Sequence, residues 1–380
     1  MLFSMRYLRY RIILLLLSLG LTAATAAAQP RSLRAVATLG PETETLRTAS
    51  ASLGDVDGDG DLDVVVANGR HWPQQNMIYL NNGRGGFTVA RPLGREHDTS
   101  YATPLADFDG DGDLDIAVGN DKARKPVFLN DGDGWFSAAG TFGSSSVNTR
   151  SLTLADIDSD GDTDILVTNR GEQNAIYLND GGGFATRKPF GSDDDSTISV
   201  AVGDLDGDGD LDLALANRDG QPNYVVLNDG ATTFTERRRY GTGSDETRAV
   251  ALGDLNGDGH LDIVAGNIGE VNAVYLGDGT GAFPTSTPFG RDDGHTYSVT
   301  LADLDRDGDL DIVAGNVAQE NAVFFNDGTA GAFEALRFGP EAHRTCGVAV
   351  GDLNGDEYPD IVTANSDGPN VVFANLPASK

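Results

Sequence analysis

Seven times along the chain an aspartate opens a nine-residue acidic stretch that runs straight into an apolar segment. The openings are Asp55, Asp107, Asp156, Asp204, Asp254, Asp303 and Asp352, at intervals of 52, 49, 48, 50, 49 and 49 residues. So regular a period restricts the fold more than composition does, because each repeat must be one supersecondary unit that buries its apolar faces against copies of itself. The apolar runs within a repeat are short, such as Leu213 to Ala216 and Tyr224 to Leu227, and are bounded by Gly, Asn and Asp. These are strand signals, and the runs are too short for helices. Four short antiparallel strands in about 50 residues make a propeller blade. The second run, Val64-Val65-Val66 in the first repeat, is apolar on both faces. A blade packed between two others needs that, whereas a sheet with one face in water would alternate.

The ends of the chain predict how the ring closes. The fourth run of six repeats ends in an apolar residue and glycine: Leu93-Gly94, Phe142-Gly143, Phe190-Gly191, Tyr240-Gly241, Phe289-Gly290 and Phe338-Gly339. The seventh repeat has no such run, but Leu33 to Gly40, ending Leu39-Gly40, stands before the first acidic stretch. Placed on the outside of the last blade, that segment removes an open sheet edge. The expected fold is all-β: a seven-bladed β-propeller of four-stranded blades, its ring closed by an N-terminal strand.

Carboxylates at every second position repel one another by roughly 1 kcal/mol per close pair even in water. A bound cation removes the difficulty. The oxygen donors are Asp55, Asp57, Asp59, Asp61 and Asp63 in the first stretch, Asp107, Asp109, Asp111, Asp113 and Asp115 in the second, and Asp156, Asp158, Asp160, Asp162 and Asp164 in the third. The fourth has Asp204, Asp206, Asp208, Asp210 and Asp212; the fifth Asp254, Asn256, Asp258, His260 and Asp262; the sixth Asp303, Asp305, Asp307, Asp309 and Asp311. The seventh has Asp352, Asn354, Asp356 and Asp360, with Tyr358 at position 7. Positions 1, 3, 5 and 9 are expected to offer side chains and position 7 its carbonyl, which is why His and Tyr are tolerated there. Six to eight oxygens at about 2.3–2.6 Å suit calcium better than magnesium, which keeps more of its water. An EF-hand would need Glu at position 12 between helices. Here position 12 is Val66, Val118, Val167, Leu215, Ala265, Ala314 or Thr363, each inside a strand signal. Up to seven calcium ions are expected, the seventh site being the weakest because Glu357 stands where the other loops have glycine.

The chain begins with Arg6, Arg9 and Arg11, an apolar run from Ile12 to Leu21, and Ala26-Ala27-Ala28. That is the layout of a secretory signal peptide over residues 1–28, with the propeller occupying 29–380. Cleavage would take the net charge from −31 to −34. Such a surface disfavours nucleic acid and anionic membranes. With Cys346 the only cysteine, no internal disulfide can form, so a large core, bound metal or both must hold an exported domain together.

The loops DVDGDGDLD, DFDGDGDLD, DIDSDGDTD, DLDGDGDLD, DLNGDGHLD and DLDRDGDLD resemble the calcium loops of FG-GAP (VCBS-type) repeats, with the preceding Phe-Gly pairs and the Gly203-Asp204 and Ala302-Asp303 pairs in keeping. The resemblance covers nearly all of residues 29–380. It implies the propeller of integrin alpha chains and of many bacterial exported proteins, with calcium between strands one and two of each blade. It leaves function open among adhesion, lectin and lyase roles.

A ligand is expected on the face opposite the calcium. The loop after Asn68 is the longest of its kind and carries Arg70, His71 and Trp72; His97 and His343 fall in neighbouring loops on that face. These five form a candidate ligand patch. A hydroxyl stands seven residues before each first aspartate: Thr48, Ser100, Thr149, Thr197, Thr247, Thr296 and Thr345. This set is expected at the channel mouth, tying blades together. The reading favoured is a secreted, periplasmic or cell-surface binding module, a monomer that is not an enzyme and meets a protein or glycan. A lectin is the alternative, and a calcium-dependent polysaccharide lyase using Arg150, Arg248, Tyr101 or Tyr297 a further one. No Ser-His-Asp context, zinc motif or phosphate loop is present.

Overall fold

The computed structural model describes residues 31–40, 45–181 and 183–378; the signal-peptide segment lies outside them. Seven four-stranded antiparallel sheets stand around an axis, six of them with their strands in chain order from the axis outward. In blade 1 these are Thr48–Gly54, Asp63–Asn68, Met77–Leu80 and Val89–Pro92. Blade 7 is completed from the other end of the chain: Arg31–Leu39 pairs antiparallel with Asn370–Pro377, from Arg31 opposite Pro377 to Leu39 opposite Asn370. The closing strand therefore begins two residues before the Leu33 expected from sequence. Arg31 fastens it by donating to Asn375 Oδ1 (2.8 Å) and the Asn375 carbonyl (2.7 Å), and by stacking on Tyr358.

The second strand of each blade explains the core. In blade 1 all six of its residues are buried. Side chains alternate along a strand. Val64 and Val66 accordingly join Leu39, Val362 and Val372 in the interface with blade 7, while Val65 joins Ile116 and Phe128 in the interface with blade 2. Seven such apolar clusters fill the seven interfaces. The aromatic that ends five of the outer strands plugs an interface: Phe289 meets Phe324 of the next blade edge to face at 5.0 Å, and Phe338 meets Phe373 in the same way. Blade 2 is the irregular one. Pro104 interrupts its inner strand into Ser100–Ala102 and Leu105–Ala106, since proline has no N–H for the ladder.

Five of the seven hydroxyls tie blades together, but the set does not lie at the channel mouth. They are 0–1% exposed. Asn76 of blade 1 donates to Ser100 of blade 2 (2.9 Å), and Ser100 donates to Asn120 of its own blade (2.7 Å). The same relay runs from Asn223 through Thr247 to Asn267, from Asn272 through Thr296 to Asn316, and from Asn321 through Thr345 to Asn365.

Blade 2 breaks this relay. Where the other blades have asparagine it has Lys125, which is 1% exposed and donates to the Ser144 carbonyl (2.6 Å) instead of to Thr149. Burial holds the Lys125 ammonium down to about 8. Because the unfolded chain takes up that proton near 10.5, this group makes folding more favourable as pH rises from about 8 to 10.5. Lys125→Asn should restore the relay to Thr149 and remove a desolvated cation. The expected gain is about 1 kcal/mol, or roughly 1 °C in a chain of this size, with a flatter pH dependence above pH 8; thermal melts at pH 7.5 and 9.5 read both.

Candidate functional site

The acidic stretches connect each inner strand to the second strand, so all seven project from one face of the ring. Their backbone is coiled by two left-handed residues. Position 6 has positive φ in every loop, from Gly60 (93°) to Glu357 (70°). Position 4 does too, and there Ser159 (59°) and Arg306 (62°) replace glycine. The coil turns N–H groups inward onto position 1: Gly58 and Gly60 donate to the two oxygens of Asp55, at 2.9 and 3.0 Å. Position 5 caps the turn, as when Asp59 accepts from the Asp61 N–H. Position 7 side chains lie at the rim.

Position 9 carries more than its sequence suggested. Asp63 is fully buried, and its two oxygens accept from the N–H groups of Val56 (3.1 Å) and Asn81 (2.8 Å). All seven loops repeat this, so one carboxylate fastens the acidic loop to the end of the third strand. The asparagine at that strand end reaches back to the loop of the preceding blade: Asn130 Nδ2 donates to the Val56 carbonyl at 2.9 Å, Asn326 to that of Leu255 at 2.7 Å. Five of the seven loops are thereby coupled to the next blade; among the described residues Asn228 makes no such bond, and blade 5 has Gly277 at that place. The sequence signal was available, in the Asn-Asp-Gly that closes most third runs.

Carboxylates at positions 1, 3 and 9 converge in five loops, with one oxygen from each within 4.8 Å of the others: Asp55, Asp57 and Asp63 form one such trio, Asp303, Asp305 and Asp311 another. Loops five and seven place Asn256 and Asn354 at position 3 instead. One oxygen each of Asp57, Asp206 and Asp305 is buried without a hydrogen-bond partner. An orphaned carboxylate oxygen facing two other carboxylates is what a cation site presents before its ion is added. Burial pushes Asp63, Asp164, Asp212, Asp305 and Asp360 up to about 6 and Asp311 to about 7. In the seventh loop Asn354 turns its amide nitrogen onto Asp360 (2.9 Å), and Glu357 takes the left-handed conformation at a cost of about 1–2 kcal/mol. Its ion pair with Arg306 is exposed and offsets little. Glu357→Gly should stabilise the protein by about 1 kcal/mol, and a calcium titration should show the weakest site tightening.

A scan of the chain for known repeats matches the FG-GAP-like repeat at residues 55–118, 107–167, 156–215, 204–265, 254–314 and 307–363. The chain belongs to the FG-GAP-like repeat family. No curated protein matches it. Among solved structures, this FG-GAP-like propeller is similar to BBS1N in crystals of its complex with ARL6DN. In the mercury-soaked crystal the identity is 13% and the TM-score 0.61, over 92% of this chain and 99% of that one. The lead-soaked crystal gives the same identity and coverage with a TM-score of 0.64. At that identity the likeness is one of fold.

The opposite face of the FG-GAP-like propeller carries the loops between second and third strands. Trp72 is 62% exposed there, with the Arg47 guanidinium 5.0 Å from its ring centre. Blades 7, 1 and 2 are joined across this sector by the Arg47–Asp367 ion pair (3.0 Å) and by Gln74 donating to the Asp98 carbonyl. The five residues of the candidate patch differ in setting. Arg70 is buried, whereas His71 is exposed while its Nδ1 meets the Tyr101 hydroxyl at 3.0 Å. His97 is exposed and His343 half-buried beside Asn365; among the described residues no hydrogen bond, ion pair or ring contact joins either to Trp72.

The channel mouth itself is built by a feature that sequence reading missed. In every blade the pairing of inner and second strands slips at the first pair, as between Thr48 and Ser50 or Thr247 and Ala249. The extra residue sits in a bulge, which re-aims its side chain. The seven bulged residues, Ala49, Tyr101, Arg150, Ile198, Arg248, Tyr297 and Cys346, all line an axial cavity of about 220 Å³. Each lies one residue beyond the buried hydroxyl.

Proposed function

We propose that this chain is an exported, calcium-stabilised, non-catalytic binding module that meets a protein or glycan on the face opposite its calcium loops. The orphaned oxygens of Asp57, Asp206 and Asp305, each within a carboxylate trio, support this most strongly. Positions 1, 3, 5 and 9 with the carbonyl of position 7 supply the oxygen-rich set calcium favours. Its concentration outside the cell is matched to sites with dissociation constants of roughly 0.1–1 mM. The ions rigidify one face and leave the loops of the other free to vary, a division suited to recognition. The solved propeller of BBS1N, in complex with ARL6DN, shows one of this fold beside a protein partner.

The exposed Trp72 favours a glycan as the ligand, since an indole face stacks on a sugar ring. The test is a glycan and protein-partner screen of residues 29–380 in millimolar calcium and in chelator, with each retained glycan checked for cleavage. Calcium-dependent retention of intact ligand, lost in Trp72→Ala, is expected. New unsaturated ends would replace this reading with a lyase, and failure to bind calcium would overturn it.

A further inference from the structure

Three guanidinium groups meet at the mouth of the axial channel. Arg150 and Arg248 are bulged residues of blades 3 and 5, and both line the cavity with Tyr101 and Tyr297. Arg70 arrives from the loop after the second strand of blade 1, and its guanidinium lies 5.4 Å from the centre of the Tyr297 ring in blade 6. Arg248 contacts the same ring at 5.4 Å, and Arg150 lies over Tyr101 at 4.7 Å. Arg70 therefore reaches past blade 7, whose bulged residue there is the small Cys346.

The charges do not balance. Asp121 pairs with Arg150 at 3.0 Å, but no ion pair or side-chain hydrogen bond serves Arg70 or Arg248 among the described residues. Arg70 is 7% exposed, and its Nε is buried with no acceptor. Burial weighs most against the Arg248 charge, and Arg70 and Arg218 add to it, while Cys346 and Tyr297 act the other way. A buried charge without partners is costly, and stacking on tyrosine returns only about 0.5–2 kcal/mol. An unpartnered arginine in the cavity wall, Arg248, with a second, Arg70, against the same tyrosine ring, in a chain of net charge −31, needs another explanation.

We infer that the channel mouth is an oxyanion site: Arg70 and Arg248, with Arg150 beside them, receive the carboxylate or phosphate group of a small ligand of about monosaccharide size. The planar guanidinium fork matches both groups. A cavity of about 220 Å³ admits one sugar acid or sugar phosphate and no polymer backbone. The tyrosines supply flat walls for the rest of the ligand. The inference rests on the reading of this face as the ligand face and specifies what its centre takes.

Isothermal titration of the calcium-loaded protein with glucuronate, glucose 6-phosphate and glucose, at constant ionic strength, tests it. Binding of either acid, with none of glucose, is expected; which acid binds identifies the group. Arg70→Gln and Arg248→Gln should each weaken binding about tenfold or more, while Arg291→Gln, at an exposed ion pair, should not. Ligand-free Arg248→Met should melt no lower than the parent, because it removes an uncompensated charge. Equal binding of glucose, affinity unchanged in both arginine variants, or a marked loss of stability in Arg248→Met would overturn the inference. A protein that calcium stabilises but that ignores both acids would defeat this site alone and leave the proposed function standing.

Discussion

Calcium added to chelator-treated protein should raise its melting temperature by roughly 10–15 °C at pH 7.5. The size follows from the number of sites. At calcium tenfold above a millimolar dissociation constant each ion adds about 1.4 kcal/mol, so six or seven ions add on the order of 10 kcal/mol. Spread over the unfolding entropy of some 350 residues, that is a shift of this order. The pH dependence supplies the sharper check. In the ion-free protein Asp63, Asp164, Asp212 and Asp360 keep their protons up to about 6 and Asp311 up to about 7, with Asp115 and Asp262 also raised by burial, whereas unfolded aspartates release theirs near 3.8. Between these values the folded state binds more protons, so ion-free stability should fall as pH rises from about 4 to 7. Calcium needs the deprotonated form, so its effect should fade as pH drops through 6. The ion-free and calcium-loaded melting curves should therefore slope in opposite directions between pH 5 and 7.5. Parallel curves with no calcium shift would mean that the loops are acidic turns without an ion.

Asp212→Ala should be among the most damaging single substitutions, far worse than Asp210→Ala two residues away. Asp212 is fully buried and accepts from the N–H groups of Leu205 (2.9 Å) and Asn228 (2.8 Å). Truncation strands two buried donors, each costing about 1–3 kcal/mol, and also removes a cation ligand. Asp210 occupies position 7, where His and Tyr serve in other loops and the backbone alone is required. Its loss should change stability by less than about 0.5 kcal/mol. Denaturant melts in saturating calcium should separate the two variants by at least about 2 kcal/mol. If both are mild, position 9 is a ligand only and not the anchor between loop and third strand. Because the Gly281 N–H of blade 5 donates to the Leu205 carbonyl of the same acidic loop (2.8 Å), the damage in Asp212→Ala should extend to an adjacent blade interface. Hydrogen exchange of the core strands on either side would show it.

The blade count, the position of each acidic loop and the strand that closes the ring were legible in the chain itself. They are written in a period, in strands apolar on both faces and in a missing Phe-Gly run, all of them local features that repeat. The double duty of position 9 was half legible, since an aspartate at the start of a buried strand is unusual without a partner. Other features were decided only in three dimensions. The sequence alone puts the hydroxyls at the channel mouth, one residue short of the bulged residues that line it. A bulge shifts every side chain beyond it to the other face, and no residue type announces where seven neighbouring blades will press one into being. Nor could the chain show that Arg70, from a loop in blade 1, would lie against Tyr297 in blade 6, or that Lys125 would be sealed where its counterparts are asparagine. Local sequence determines how each blade pairs and binds; closing the ring decides which side chains meet across its axis, because only closure brings distant repeats within reach of one another.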